Sequence, residues 1–311
     1  MDLPLATRLR IGFIAGFDTR DAGRGLAQIA QRLGFDSIWV GDHVAFPLPI
    51  LDPLLQLAQL AAHSDELELG TSVYLLPLRH PVLVAKQVAS LDRLSGGRFV
   101  FGVGIGGEFP AEYQACGVPR EERGARLSES IPLVRALVRG EATSGGRFYP
   151  FPETRLRPAA TQPAGPPIWC GGRAAAALAR IGRIGDGWIS YVVTPERYRQ
   201  GLEQIARAAE GAGRRLECFG TSHLLFTRID DDAGAALDAA SAHLSKRYAM
   251  DFREPTRRYA AYGRPADVAE RIEAFRSAGV RHLILDMVGP GGDRDEQLER
   301  FSREVRPLLS T

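Results

Sequence analysis

Three stretches of the chain gather residue types that can handle a ligand. In "IWVGDHV" (38–44) a short apolar run ends in Asp42 and His43. An acid beside an imidazole at a strand end is either a catalytic pair or a polar turn that caps a neighbouring element. Imidazole changes charge near neutral pH, which suits proton transfer. In "GVGIGG" (102–107) four of six residues are glycine, Gly104 among them. Without side chains a backbone can lie close against a flat ligand, whereas a tight turn after a strand needs one glycine or two. No Lys-Ser/Thr follows at P-loop distance. In "CGGRAAAAL" (170–178) Gly171 and Gly172 open a helix, and Arg173 follows. Free N–H groups and the helix dipole attract anions there, and Arg173 can add a charge-assisted contact. A plain βα turn with Arg173 in solvent fits the same residues.

The remaining reactive side chains point to little. His63 sits at a helix end, His80 precedes Pro81 at a helix start, and His243 lies within a helix. His223 and His282 each open a strand, on the face where polar residues serve stability. No histidine pair has metal-ligand spacing, so no metal is expected. Cys116, Cys170 and Cys218 are far apart and form no CxxC motif, which fits a reducing compartment. Ser72 has no GxSxG context for nucleophilic hydrolysis.

The elements that must position these groups alternate along the chain. Strands are predicted at 9–15, 37–41, 67–74, 98–104, 167–171, 187–191, 222–228 and 281–287. Helices are predicted at 21–34, 52–63, 81–96, 122–140, 173–185, 195–211, 232–247, 265–279 and 293–309, from apolar residues at helical spacing and from terminal Asp, Pro and Gly signals. Several strands are continuous apolar runs, as parallel strands covered on both faces require. Eight βα units close into a TIM (β/α)8 barrel. An open doubly wound sheet would use the same elements, but "GFDTRDAG" after the first strand lacks the GxGxxG spacing. One domain over 1–311 is the expectation, with insertions near 141–166 and 248–263. In such a barrel the strand C-termini share a rim, which brings Asp42, His43, Thr71 to Tyr74, the glycine stretch, Gly171 to Arg173, Ser190, Tyr191 and Asp286 together.

Composition bounds the partners. A formal charge of +2, with Arg interspersed among Glu and Asp, does not describe a nucleic-acid-binding surface. No apolar run approaches the roughly 20 residues that span a bilayer, and "MDLPLATRLRIGF" lacks the basic start and apolar core of a signal peptide. A cytoplasmic protein acting on a small molecule is expected. The insertions carry Phe148, Tyr149, Phe151, Tyr248, Phe252, Tyr259 and Tyr262. Placed over the mouth these would suit an apolar or planar substrate; they could equally pack the insertions onto the barrel. Broad apolar faces on helices 53–63 and 81–95 fit a homodimer, and also ordinary helix-on-barrel packing.

Taken in order, "GFDSIWVGDHV" (34–44), "LGTSVYLLPLRHPVLVAKQVASLDRLSGGRFVFGVGIG" (69–106), "ERGARLSE" (122–129), "PIWCGGRAAAALARIGRIGDGWI" (167–189) and "GRPADVAERIEAFRSAGVRHLIL" (263–285) resemble the bacterial luciferase-like family of flavin- and deazaflavin-dependent oxidoreductases. The resemblance implies a barrel that binds coenzyme F420 or FMN with the ring at the C-terminal mouth. It implies a non-proline cis peptide at Ser72-Val73 behind the ring, and Asp42 hydrogen-bonded to the polar ring edge. His43 would lie near the redox-active atom, as proton donor or acceptor or as a substrate contact. Gly171 and Gly172 would hold the phosphate through N–H groups, with Arg173 beside them. Ile105 stands where the sugar-phosphate-oxidising branch has Glu and luciferase has Arg, so neither activity is implied. Glu108, the nearest acid, would contact the ring edge or face solvent. The expected function is hydride transfer with coenzyme F420. The alternatives are an FMN-dependent monooxygenase supplied by a separate flavin reductase, and a non-catalytic flavin-binding barrel.

Overall fold

The computed structural model describes residues 3–107 and 109–310. Its strands are β1 (Arg10–Ile14), β2 (Ser37–Val40), β3 (Glu68–Thr71), β4 (Tyr74–Leu75), β5 (Phe99–Gly104), β6 (Ile168–Gly171), β7 (Gly187–Tyr191), β8 (Gly220–Ile229), β9 (Ala261–Gly263) and β10 (His282–Met287). Eight of them, β1, β2, β3, β5, β6, β7, β8 and β10, pair in parallel in that order, and β10 returns to β1. The ring is therefore closed, as eight consecutive βα units predict. The short β4 continues the line of β3 and pairs with β5, while β9 lies beside the C-terminal end of β8.

The helices are α1 (Arg20–Arg32), α2 (Pro53–Ala61), α3 (Pro81–Leu94), α4 (Pro110–Ala115), α5 (Arg123–Val138), α6 (Ala175–Ile184), α7 (Pro195–Gly211), α8 (Ala233–Tyr248), α9 (Arg253–Tyr259), α10 (Pro265–Ser277) and α11 (Arg294–Arg300). Most begin as their sequences announce. Thr19, Asp52, Thr194 and Asp232 each accept a hydrogen bond from a backbone N–H in the first turn of α1, α2, α7 and α8. No helix among the described residues is long and apolar enough to cross a membrane.

Three expectations need correction. The third predicted strand is broken, because the Ser72-Val73 peptide bond is cis and separates β3 from β4. The segment 248–263 is no irregular excursion; it holds α9 and β9. The segment 141–166 does not reach the mouth but straps the outside of the barrel. Asp92 on α3 accepts from the Thr161 N–H at 2.6 Å and the Gln162 side chain at 2.7 Å. The Tyr149 hydroxyl donates to the Pro77 carbonyl at 3.1 Å.

The barrel interior is filled by Trp39 and Trp169, stacked with ring centres 5.5 Å apart, together with Val100, Ile189 and Ile284. Glycines on nearby strands make room for the two indoles. A Cβ on Gly70 would lie 2.3 Å from Trp39, and one on Gly220 would lie 2.1 Å from Trp169. At the opposite end from the mouth His282 opens β10 and bonds Ser37 at 2.8 Å; His223, three residues into β8, bonds Ser190 at 2.7 Å and stacks on Phe275 of α10 at 4.1 Å. Burial first, then the charge of Arg10 or Arg271 respectively, pushes both imidazoles down to about 3. Both are neutral structural groups, although only His282 opens its strand as expected.

Candidate active site

At the C-terminal ends of the strands the chain encloses a cavity of about 480 Å³. Its floor is aliphatic: Ile14, Val73, Ile189 and Leu224 cap the interior core and line the cavity. Val73 is central. Its side chain lies against the ends of β5 and β6, where an added Cβ on Gly104 would lie 2.4 Å, and on Gly171 3.1 Å, from its methyl groups. This changes the reason for the glycine-rich stretch. A Cβ on Gly102 would strike the Thr71 carbonyl at 1.8 Å, and one on Gly106 would meet Leu75 at 2.8 Å. Those glycines make room for protein atoms, and Gly104 and Gly106 also line the cavity beside Val73.

The Asp42-His43 pair divides into two roles. The Asp42 carboxylate is buried. It accepts both terminal nitrogens of Arg79, at 2.5 and 2.9 Å, and the Leu75 N–H at 2.8 Å. A carboxylate has about four acceptor sites, and three of these are taken by the protein. Burial opposes the charge of Arg79, but the hydrogen bond and charge of Asp42 outweigh it and raise the guanidinium further. Asp42 thus pins β4, directly after the cis bond, while forming part of the cavity lining.

His43 does face the cavity, and its partner is a residue that sequence reasoning missed. Glu112 on α4 accepts the His43 Nδ1–H at 3.0 Å through one oxygen and the Val44 N–H at 2.7 Å through the other. Glu112 is 1% exposed and the His43 side chain 25%. Phe46 stacks on the imidazole at 3.9 Å and Phe109 meets it edge-on at 5.5 Å. No helix was predicted near residue 110, so nothing local marked this acid. The only signal was a glutamate between Phe109 and Tyr113, in the apolar setting of a short helix.

The opposite end of the cavity is built for a different contact. Gly172 takes φ +128°, where a Cβ would also meet Ala177 at 2.7 Å, and its carbonyl accepts from Trp188 Nε1 at 2.7 Å. The loop then enters α6 through Ala174, which has N-cap backbone geometry but no side-chain oxygen to cap with. The first N–H groups of α6 therefore lack the side-chain acceptor that α1, α2, α7 and α8 have. Arg173 stands beside them, over the Tyr191 ring at 5.0 Å. On the third wall, Arg247 of α8 pairs with Asp286 at the end of β10 at 2.5 Å. Of the seven aromatic residues in the insertions only Tyr248 lines the cavity; Phe252 stacks beneath it at 4.8 Å. Glu108 lies outside the described residues.

A closed parallel eight-stranded barrel with its cavity at the strand C-termini is a TIM barrel. The model of the luciferase-like monooxygenase family matches residues 15–282, and the chain belongs to that family. The F420-dependent glucose-6-phosphate dehydrogenase of Nakamurella multipartita is 30% identical over 315 residues, covering 91% of each chain. The oxygenase component of the flavin-dependent trigonelline monooxygenase of Acinetobacter baylyi is 36% identical over 150 residues, which is 48% of this chain and 42% of that protein. In structure, the coenzyme F420-dependent tetrahydromethanopterin reductase of Methanopyrus kandleri superposes with a TM-score of 0.80 at 20% identity, over 98% of this chain and 100% of that one. Relatives of both cofactor classes are thus oxidoreductases.

Proposed function

We propose that this chain is an oxidoreductase that holds coenzyme F420 at the barrel mouth and moves a hydride to or from a small organic substrate. The observation that carries the reading is the His43–Glu112 pair, one ring edge tied to a buried carboxylate and the rest turned to the cavity. The residues fit the cofactor: an aliphatic floor for a planar ring, and uncapped helix N–H groups with Arg173 for a phosphate. Preference for F420 over FMN is supported by the dehydrogenase relative, which aligns over 91% of both chains.

When bound, the deazaflavin supplies two-electron hydride chemistry. The protein supplies the rest. Glu112 fixes the tautomer of His43 with the proton on Nδ1, which leaves Nε2 as the acceptor facing the cavity. Nε2 takes the proton of a substrate hydroxyl as the hydride leaves carbon, or returns it in the reverse direction. The buried carboxylate then stabilises the imidazolium, and Phe46 and Phe109 limit water around it. Asp42 acts through Arg79 and Leu75, holding β4 and the Val73 floor in place. Ile105 offers neither proton nor phosphate contact, so a neutral substrate fits better than a sugar phosphate.

A second reading is an FMN-dependent monooxygenase fed by a flavin reductase, which the trigonelline monooxygenase component supports. A homodimer belongs to either reading, because Leu55 on α2 and Leu83 on α3 are 72% and 67% exposed. The test is a fluorescence titration with F420 and, separately, with FMN, followed by F420 reduction against a panel of small alcohols. Micromolar F420 binding is expected, with His43→Gln binding alike but turning over about 10²–10⁴-fold more slowly. Binding of FMN alone selects the second reading. Unchanged turnover in His43→Gln removes His43 from proton transfer.

A further inference from the structure

Asp286 lies near the C-terminal end of β10 on the barrel rim, and the hydride step gives it no task. Its place in the ring gives it one. The strands close in the order β1, β2, β3, β5, β6, β7, β8, β10. In such a ring β3 stands opposite β8, and β5 opposite β10. A planar group laid against Val73, which follows β3, and Gly104 of β5 therefore turns its other face to β8 and β10. That far half of the cavity is lined by Leu224 and Phe226 of β8, Arg247 and Tyr248 of α8, and Asp286. A substrate that exchanges a hydride with the uncovered face lies against these residues.

The two charges of this half neutralise each other. Arg247 donates to both oxygens of Asp286, at 2.5 and 3.2 Å. The Arg247 side chain is 30% exposed and that of Asp286 11%. Burial opposes the Arg247 charge, but Asp286, and after it Tyr248, outweigh burial and raise the guanidinium. The guanidinium is also held from its own helix. The Gly289 carbonyl only accepts, so His243 Nδ1, 2.5 Å away, carries the proton. His243 Nε2 is then the acceptor for Arg247, at 3.0 Å. The two residues are four apart on α8, so one helix face supplies both. A guanidinium has five N–H donors and a carboxylate about four acceptor sites. Asp286 and His243 take three of the donors, Tyr248 bonds the same guanidinium, and Arg247 takes two of the acceptor sites. The pair can therefore both give and accept a further hydrogen bond. An anionic group would have to displace Asp286 and a cationic one Arg247. A neutral group that itself donates and accepts displaces neither.

We propose that the Arg247–Asp286 pair sets the substrate class: a neutral, mostly apolar alcohol, or its carbonyl counterpart, that carries a hydroxyl or carboxamide away from the reacting carbon. That second group bonds Arg247 and Asp286, while Leu224 and Phe226 pack the carbons between. The inference deepens the F420 reading and rests on it.

The test is F420 reduction with secondary alcohols of graded chain length, plain or with a terminal hydroxyl, carboxamide, carboxylate or ammonium group. Fluorescence titration with F420 runs alongside on every protein. Wild type is expected to favour the hydroxyl and carboxamide forms about ten-fold or more in kcat/KM over the plain alcohol, mainly through KM, and to disfavour both charged forms. Asp286→Asn frees the Arg247 charge and should turn the preference towards the carboxylate form, by about 100-fold relative to wild type. Arg247→Met/Asp286→Leu removes both charges, leaves neither unpaired, and should lose the preference for any terminal group. This second variant decides the matter if Asp286→Asn does not fold. A purely structural pair would lower all forms alike and move no ratio. F420 binding by wild type without these preferences, or without turnover of the series, overturns the substrate class and leaves the F420 reading standing. No F420 binding by wild type overturns both.

Discussion

Replacing Ala174 by Asp should raise stability and weaken cofactor binding at once. Ala174 has φ −75° and ψ 152°, the backbone of an N-cap, and supplies no acceptor. Asp fits that geometry without rearrangement and caps the first turn of α6. The gain is about 1 kcal/mol from the hydrogen bond, and about 0.3–1 kcal/mol more from a negative charge at the helix N-terminus. An unfolding entropy of about 0.65 kcal/mol/K for 311 residues converts this to a rise in Tm of about 2–3 °C. The same carboxylate occupies the N–H groups assigned to the phosphate and repels it. Two unit charges about 4 Å apart near a protein surface interact by about 4 kcal/mol. Position 174 is exposed, so screening reduces this to about 2–3 kcal/mol, or about 30- to 150-fold in Kd. Ala174→Ser, which caps without charge, should give most of the Tm gain and lose less than about ten-fold in affinity. Calorimetry without cofactor and fluorescence titration with F420 read the two effects separately. A higher Tm with unchanged affinity would place the anion elsewhere and refute the phosphate assignment. A lower Tm would refute the capping argument.

Gly104→Ala should cost about 1–3 kcal/mol in urea unfolding, because its Cβ would lie 2.4 Å from a Val73 methyl. Combining it with Val73→Ala should recover part of that loss; strict additivity would show that Val73 is not what keeps residue 104 a glycine. For pH, His223 and His282 are neutral when folded and held at about 3, below the ordinary imidazole value. The unfolded chain therefore binds more protons, and stability present above about pH 6.5 falls as pH drops towards 3, by up to about 1.4 kcal/mol per pH unit for each histidine. Urea unfolding between pH 7 and 4.5 should show a shallower slope in a His223→Gln/His282→Gln variant; equal slopes would mean that both imidazoles take up protons in the folded chain as readily as in the unfolded one.

Local patterns in the sequence determine the eight βα units. Apolar runs and helical spacing depend on near neighbours, so β2 ending at Asp42-His43 and α6 beginning after Gly171-Gly172-Arg173 are readable without any long-range contact. The barrel follows because parallel strands joined by right-handed crossovers close when there are eight of them. What each mouth residue does was decided by closure. Asp42 is held in the cavity wall because Arg79, 37 positions on, bonds both its oxygens. His43 gains its orientation from Glu112, 69 positions on, on a helix of six residues too short to announce itself. The glycines at 102, 104 and 106, in and just after β5, are set by Thr71, Val73 and Leu75 on the neighbouring strand line. The segment 141–166, readable only as rich in Gly and Pro, is held away from the mouth by Asp92 on α3. Hydrogen-bond saturation and steric room are properties of groups brought together across the ring, and a one-dimensional pattern carries neither.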